Sequence, residues 1–363
     1  MISSQAKKIA TWSDAEVLRA TGALQGAAHP LEKLATLNQR LIEIAEFEKL
    51  DRYGIVNAKK MQNYKVVDFI GGANGGTHQV QVLLDGQIAA GGPDAVLRTW
   101  SHKSNPARWS SICVEKDGHG AIGNFQYVAR GKVFSCANGT TINEWVREND
   151  GWACEPVKDS LFNYPFHALP NGRLIVADSA IRIFDKMEDG KWGFRISADE
   201  IYSSTQIQGL PNGNILATGK VGSAGMLAIW ELDDSGNYHR KVLGSNSMEG
   251  FTMQGYPDGR ILSVANQFGV DIYKKNEQNN WVQESFCVKQ GNISGIQGLA
   301  DGRILVSTYN GRIYEWEKFE GGNWRDRTLI FHNEAITSFR ALEDGTIVTG
   351  GASGATFWKG SSL

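Results

Sequence analysis

The chain has 363 residues, 41% of them hydrophobic and 21% charged, and its formal net charge is −2. No stretch is basic enough to neutralise a run of phosphates, which disfavours nucleic-acid binding, and no apolar run reaches the ~20 residues of a membrane span. Glycine is abundant at 42 residues and recurs in Asp-Gly and Asn-Gly pairs, a pattern of many tight turns between short strands.

Residues 1–62 do not repeat and are expected to form an N-terminal helical arm. Lys7 and Lys8 are not followed by an apolar stretch, so no secretory signal is expected. From Leu31 to Arg52, after His29-Pro30, Leu34, Leu37, Leu41 and Ile44 recur at helical spacing with Glu and Lys between them, giving one apolar stripe. The stripe either packs against the rest of the chain or docks a partner; its spacing fits both. Cys113, Cys136, Cys154 and Cys287 show no paired CxxC spacing and read as buried, reduced thiols, which implies a reducing, cytoplasmic setting.

Residues 63–363 repeat. Tight-turn glycines at Gly86, Gly131, Gly172, Gly213, Gly259, Gly302 and Gly345 are spaced by 45, 41, 41, 46, 43 and 43 residues, room for four short strands each. Within each unit an alternating strand runs into the turn and a strongly apolar strand follows, such as Arg260 to Ala265. The third strand carries an aromatic near its end: Trp100, Trp145, Phe184, Trp230, Tyr273, Trp316 or Trp358. The fourth opens on another: Trp109, Trp152, Trp192, Tyr238, Trp281 or Trp324. The seventh unit, Ile336 to Lys359, ends after its third strand, which would leave an open edge. Tyr64 to Ile70 has the length and alternation to fill it. The expected fold is therefore all-β: a seven-bladed β-propeller of four-stranded antiparallel blades, closed by an N-terminal strand at 64–70.

From Tyr64 to Lys359 the arrangement resembles the WD-repeat family in its turn, its apolar second strand, its polar hairpins (Asp94, Asn138, Asp178, Asn310) and its third-strand tryptophan. The Trp-Asp pair itself stands only as Phe184-Asp185, with Trp230-Glu231 and Trp316-Glu317 as near variants, and the Gly-His pair only as Gly118-His119. The resemblance implies a propeller that holds other proteins, while most of the family's hydrogen-bonded tetrad is expected to be missing.

Five residues before each turn glycine stands Gln81, Gln126, His167, Gln208, Gln254, Gln297 or Arg340. Strand alternation places these seven on one face of the innermost strands, as a polar ring about the axis. They either satisfy buried backbone groups between blades or line a pocket for a polar ligand. The seven histidines are scattered and show no spacing that presents two metal ligands together, and no nucleophile or phosphate-binding motif is present, so no metal, cofactor or catalytic residue is assigned.

Loops before the first strand and between the second and third strands share one end of the blades, the top. They hold His119, Tyr164, Tyr202, Lys220, Phe268, Tyr309 and His332, polar and aromatic groups suited to recognition. The stretch Lys220–Gly225 reads as the longest insertion between second and third strands. The expected function is a protein–protein interaction scaffold within a multiprotein assembly, binding through this loop face and through the arm. The rival is a propeller lyase or hydrolase, or a ligand binder, acting on a polar small molecule in the central channel.

Overall fold

The computed structural model describes residues 58–362, apart from 72–78, 83–87, 93–95, 101–108, 115–121, 129–131, 138–140, 149–150, 160–164, 170–172, 178–179, 188, 201, 211, 222–223, 247–251, 257, 267–268 and 288–291. The arm stripe of Leu34, Leu37, Leu41 and Ile44, and the top-face candidates His119, Tyr164 and Phe268, lie outside the described residues.

Seven four-stranded antiparallel sheets make up the fold, each with its strands in order outward from the axis. The first strand in the chain, β1 (Met61–Gly71), belongs to the last blade. Blade one is β2 (Gln79–Val82), β3 (Ile88–Gly91), β4 (Val96–Trp100) and β5 (Trp109–Val114); blade two is β6 (Ile122–Val128), β7 (Lys132–Ala137), β8 (Thr141–Glu148) and β9 (Gly151–Asp159). Blade three is β10 (Phe166–Ala168), β11 (Leu174–Ala177), β12 (Ala180–Lys186) and β13 (Trp192–Glu200); blade four is β14 (Tyr202–Gly209), β15 (Ile215–Val221), β16 (Ala224–Leu232) and β17 (Tyr238–Asn246). Blade five is β18 (Met253–Gly255), β19 (Ile261–Asn266), β20 (Gly269–Lys275) and β21 (Trp281–Cys287); blade six is β22 (Ile293–Gly298), β23 (Ile304–Thr308), β24 (Arg312–Lys318) and β25 (Trp324–Phe331). Blade seven is β26 (Ser338–Ala341), β27 (Ile347–Gly351) and β28 (Gly354–Ser362), with β1 outermost and antiparallel to β28. The innermost strands touch their neighbours all the way round, so the ring is closed.

The closing strand is longer than the 64–70 read from sequence and begins inside the expected arm, at Met61. The second strands are buried along their whole length in β11, β23 and β27, because neighbouring blades cover both faces. That is why they read as continuous apolar runs rather than alternating ones.

The turn between first and second strands is built alike in blades four to seven. The residue opening it exchanges hydrogen bonds across the loop, as Leu210 N–H does with Asn214 O (2.8 Å), and the glycine N–H donates back to it. That glycine takes φ of 82–89° at Gly213, Gly259, Gly302 and Gly345, the left-handed conformation a side chain resists.

The repeated aromatics pack between blades. Phe286 of blade five stacks on Trp324 of blade six (centroids 5.0 Å apart) and tilts against Trp316 (4.6 Å), and Phe134 of blade two meets Trp192 of blade three edge-on at 5.8 Å. Of the cysteines, Cys136 is buried in the core as expected, but Cys154 is exposed: it lies on β9, the outer strand of blade two, where no further blade covers it.

Candidate functional site

The polar ring joins the blades. Gly255 N–H donates to Gln208 Oε1 (2.7 Å), Gly298 N–H to Gln254 Oε1 (2.7 Å) and Ala341 N–H to Gln297 Oε1 (2.8 Å). Gln126 both accepts from Ala168 N–H (2.6 Å) and donates to Ala168 O (3.3 Å), while Gly209 N–H donates to His167 Nδ1 (3.2 Å). In each case the ring side chain of one blade holds the amide that immediately follows the ring residue of the next. Those amides lie on the inner edge of a sheet, where no further strand can pair with them. Arg340 Nη1 donates to its neighbour's carbonyl, Phe339 O, at 3.1 Å, and Gln81 is half-buried on β2. Two further glutamines, Gln79 and Gln206, repeat the device one step nearer the top, accepting from Phe125 N–H and Met253 N–H at 2.8 Å each. Their place two residues before Gln81 and Gln208, on the same strand face, was the signal that could have found them.

The residue that donates the amide is also small for a reason. A Cβ on Gly298 would lie 1.4 Å from Tyr256 Oη, and one on Gly255 would lie 2.3 Å from a Leu210 methyl. Leu210 and Tyr256, which open the turns of blades four and five, therefore fill the space left by the next blade's missing side chain.

A second set of links lies further out. Lys186, Lys275 and Lys318 each stand two residues after the third-strand aromatic and reach the preceding blade: Glu144 (2.8 Å), Glu231 (2.7 Å) and Glu284 (2.6 Å). Each ammonium also lies 5.5–5.7 Å from the ring centroid of its own blade's Trp192, Trp281 or Trp324. Trp324 Nε1 donates to Glu284 Oε1 (2.8 Å) and Trp192 Nε1 to Glu144 Oε2 (3.2 Å). Burial would raise the Glu144 carboxyl, but Lys132 and Lys186 outweigh it and hold the group below its usual range. Lys318 likewise lowers Glu284.

Of the WD-type tetrad, one contact recurs. Trp145 Nε1 donates to Ser135 Oγ and Trp358 Nε1 to Thr349 Oγ1, both at 2.9 Å. Ile215 and Ile304 pair with Trp230 and Trp316, and the residues two places on, equivalent to Ser135 and Thr349, are Ala217 and Val306, which offer no acceptor. Both indole N–H groups there are buried without a hydrogen-bond partner among the described residues.

The top-face candidates fall into two groups. Tyr202 and Lys220 are register partners at the top of β14 and β15 in blade four. The expected insertion at Lys220–Gly225 is mostly strand: β15 runs to Val221 and β16 starts at Ala224, so the added residues lengthen a paired hairpin instead of forming a loop. Tyr309 and His332 both lie at one end of blade six, in its second hairpin and just after its last strand. His332 N–H donates to Gly311 O (2.7 Å), and the Glu334 carboxylate receives both Ser353 N–H (3.2 Å) and Ser353 Oγ–H (2.7 Å), tying the loop after β25 to the hairpin of blade seven. Gly311, at φ 80°, leaves no room for a Cβ, which would sit 2.1 Å from His332 O.

This fixed loop presents a cluster that sequence reading missed. Phe331, at the end of β25, is 62% exposed and Tyr309 is 55% exposed. Arg312, half-buried, pairs with Phe331 in the ladder, its guanidinium 5.3 Å from that ring, and Tyr309 stands in the turn three residues before it. Phe331 is hidden in sequence because it closes the apolar run Leu329-Ile330-Phe331, where a phenylalanine reads as core. Among the described residues, no group of three or more His, Cys, Asp or Glu side chains is placed to hold a metal ion, and no helix is long and apolar enough to cross a membrane.

No family profile matches the chain and no curated protein matches it in sequence. Solved structures do match in shape. A streptogramin B lyase superimposes with a TM-score of 0.63 at 11% identity, covering 82% of this chain and 98% of its own. The WD40 β-propeller domain of Doa1 gives 0.60 at 15% identity, covering 82% and 97%. A catalytically inactive virginiamycin B lyase from Staphylococcus aureus, solved with quinupristin, gives 0.59 at 12% identity, covering 82% and 99%. At these identities the likeness is one of fold, and that fold carries both an enzyme and a WD40 domain.

Proposed function

We propose that this propeller is a protein-binding scaffold and that it grips its partner through the top of blade six. The observation that carries the reading is the exposure of Tyr309 and Phe331 on blade six, with the half-buried Arg312 guanidinium 5.3 Å from the Phe331 ring. Tyrosine, arginine and large aromatics supply most of the energy at protein interfaces, and they do so best on a rigid support. Here the support is a hairpin and a loop bonded to each other and to blade seven. The competing reading, a small-molecule site in the central channel, asks the ring side chains to serve a ligand. Gln126, His167, Gln208, Gln254 and Gln297 already hold backbone amides of the next blade. Tyr202 and Lys220 would extend the same face, and the apolar stripe at 34–44 would offer a second docking element. A reducing cytoplasm is the setting this reading expects.

The test compares proteins retained from native lysate by wild type, by a Tyr309→Ala/Phe331→Ala variant, and by a Leu232→Ala/Phe319→Ala variant at the opposite end of the blades. Loss of a partner by the first variant alone supports the reading. Identical sets retained by all three remove the top of blade six from it.

A further inference from the structure

The closing strand is held at its beginning by a blade to which it does not belong. The ladder between β1 and β28 slips between Gln62 and Lys65 and again between Val66 and Asp68, and Asn63 takes a φ of 53° at the first slip. Strand pairing is thus weakest where β1 begins. Blade six takes over there. Arg303 donates to Ala58 O, and Arg327 Nη2 donates to Met61 O at 2.9 Å. Glu315 sets both guanidinium groups, with Oε2 on Arg303 Nη1 (2.6 Å) and Oε1 on Arg327 Nε (2.7 Å). Lys60 adds an ion pair to Glu317 of the same blade at 2.5 Å. Glu315 is 3% exposed and Arg303 5%, so this charged group is buried in the seam between blades six and seven.

A buried carboxylate with two arginines is an expensive way to stabilise a core, since apolar residues of the same volume often do as well or better. What apolar residues cannot do is hold two backbone carbonyls of an incoming strand whose own ladder is broken. We propose that Arg303, Glu315 and Arg327 form a latch in blade six that sets whether β1, and the chain leading into it, is docked on the ring. With the latch intact the root of the N-terminal segment is fixed at the turn end of the blade six–seven seam, beside Glu343, whose carbonyl accepts Lys59 N–H at 3.1 Å. With it removed, β1 detaches while blades one to six keep their packing, because none of their sheets includes β1.

Hydrogen exchange followed by mass spectrometry on the full chain tests this. The variants are Arg327→Gln, whose side chain is 33% exposed and so removable with little disturbance, and the triple Arg303→Met/Glu315→Leu/Arg327→Met, which leaves no buried charge unpaired. The expected result is exchange at least about tenfold faster across residues 58–71, with 215–232 of blade four within about twofold of wild type. Equal acceleration in both segments would make the triad an ordinary contributor to global stability and overturn the latch. So would unchanged exchange at 58–71 in Arg327→Gln, the variant that decides the matter should the triple not fold.

Discussion

Replacing Gln254 by leucine isolates what the polar ring does. Gln254 is 7% exposed and its Oε1 accepts from Gly298 N–H at 2.7 Å across the seam between blades five and six. Leucine fills similar volume but offers no acceptor. The Gly298 amide, on an inner sheet edge, then stays buried and unpaired, which costs about 1–3 kcal/mol. For a chain this size each kcal/mol moves the melting midpoint by about 1.3 °C, so the midpoint should fall by about 1–4 °C. Gln278→Leu, in an exposed hairpin of the same blade, is the matched control and should stay within about 0.5 kcal/mol of wild type. Both variants are compared with wild type by thermal melting and by urea unfolding. If Gln254→Leu and Gln278→Leu unfold together with wild type, the ring glutamines do not join the blades and the reasoning fails.

Other consequences follow from the same contacts. Gly298→Ala drives a Cβ to within 1.4 Å of Tyr256 Oη and should cost about 1–3 kcal/mol. Adding Tyr256→Leu recreates the Leu299–Ala341 pairing of the next seam and should restore part of that loss in urea titrations. Glu144→Gln breaks a buried carboxylate from two lysines and should cost about 3 kcal/mol, against at most about 1 kcal/mol for the more exposed Glu284→Gln. Because Glu144 is held below the ordinary carboxyl value of 4.5 in the fold, its contribution is complete above that pH and is lost as pH falls through the lowered value. Acid titrations of wild type should therefore fall more steeply below that pH than those of Glu144→Gln. At the other extreme, burial and the nearby Glu315 charge push Tyr64 up to about 12 from 10.0. Its contribution is complete below pH 10 and disappears as pH rises through about 12, so exchange across 58–71 should accelerate in that window, and Tyr64→Phe should blunt the effect.

The fold was legible because its rules are local and repeated. Turn glycines such as Gly213 and Gly259 mark a backbone conformation that other residues avoid, and Trp230 and Trp316 mark one position of the repeat, in units four and six. The closing strand could be read as well, since the seventh unit lacks a fourth strand and Tyr64–Ile70 supplies one. The links between units were harder. Lys186 and Glu144 stand about one repeat apart, and nothing local to either residue points to the other, although the recurrence of lysine two places after the aromatic at 186, 275 and 318 was a usable signal. The lengthened hairpin at Lys220 was read as a loop because glycines at 219, 222 and 225 mask the pairing of β15 with β16. Phe331 was invisible for the opposite reason: it closes the apolar run Leu329-Ile330-Phe331, which reads as core, yet it lies on the outermost strand of its blade and faces solvent. Nothing local to Arg303 or Arg327 signals their role, because their grip on Ala58 and Met61 exists only once the ring closes.

The scaffold reading is tested most directly by hydrogen exchange on the propeller with and without a partner retained from native lysate. Protection confined to 308–314 and 329–336, with the inner strands unchanged, is the expected result. Protection of the inner strands around Gln208 and Gln254, with blade six exchanging as before, would contradict it and move the site into the channel.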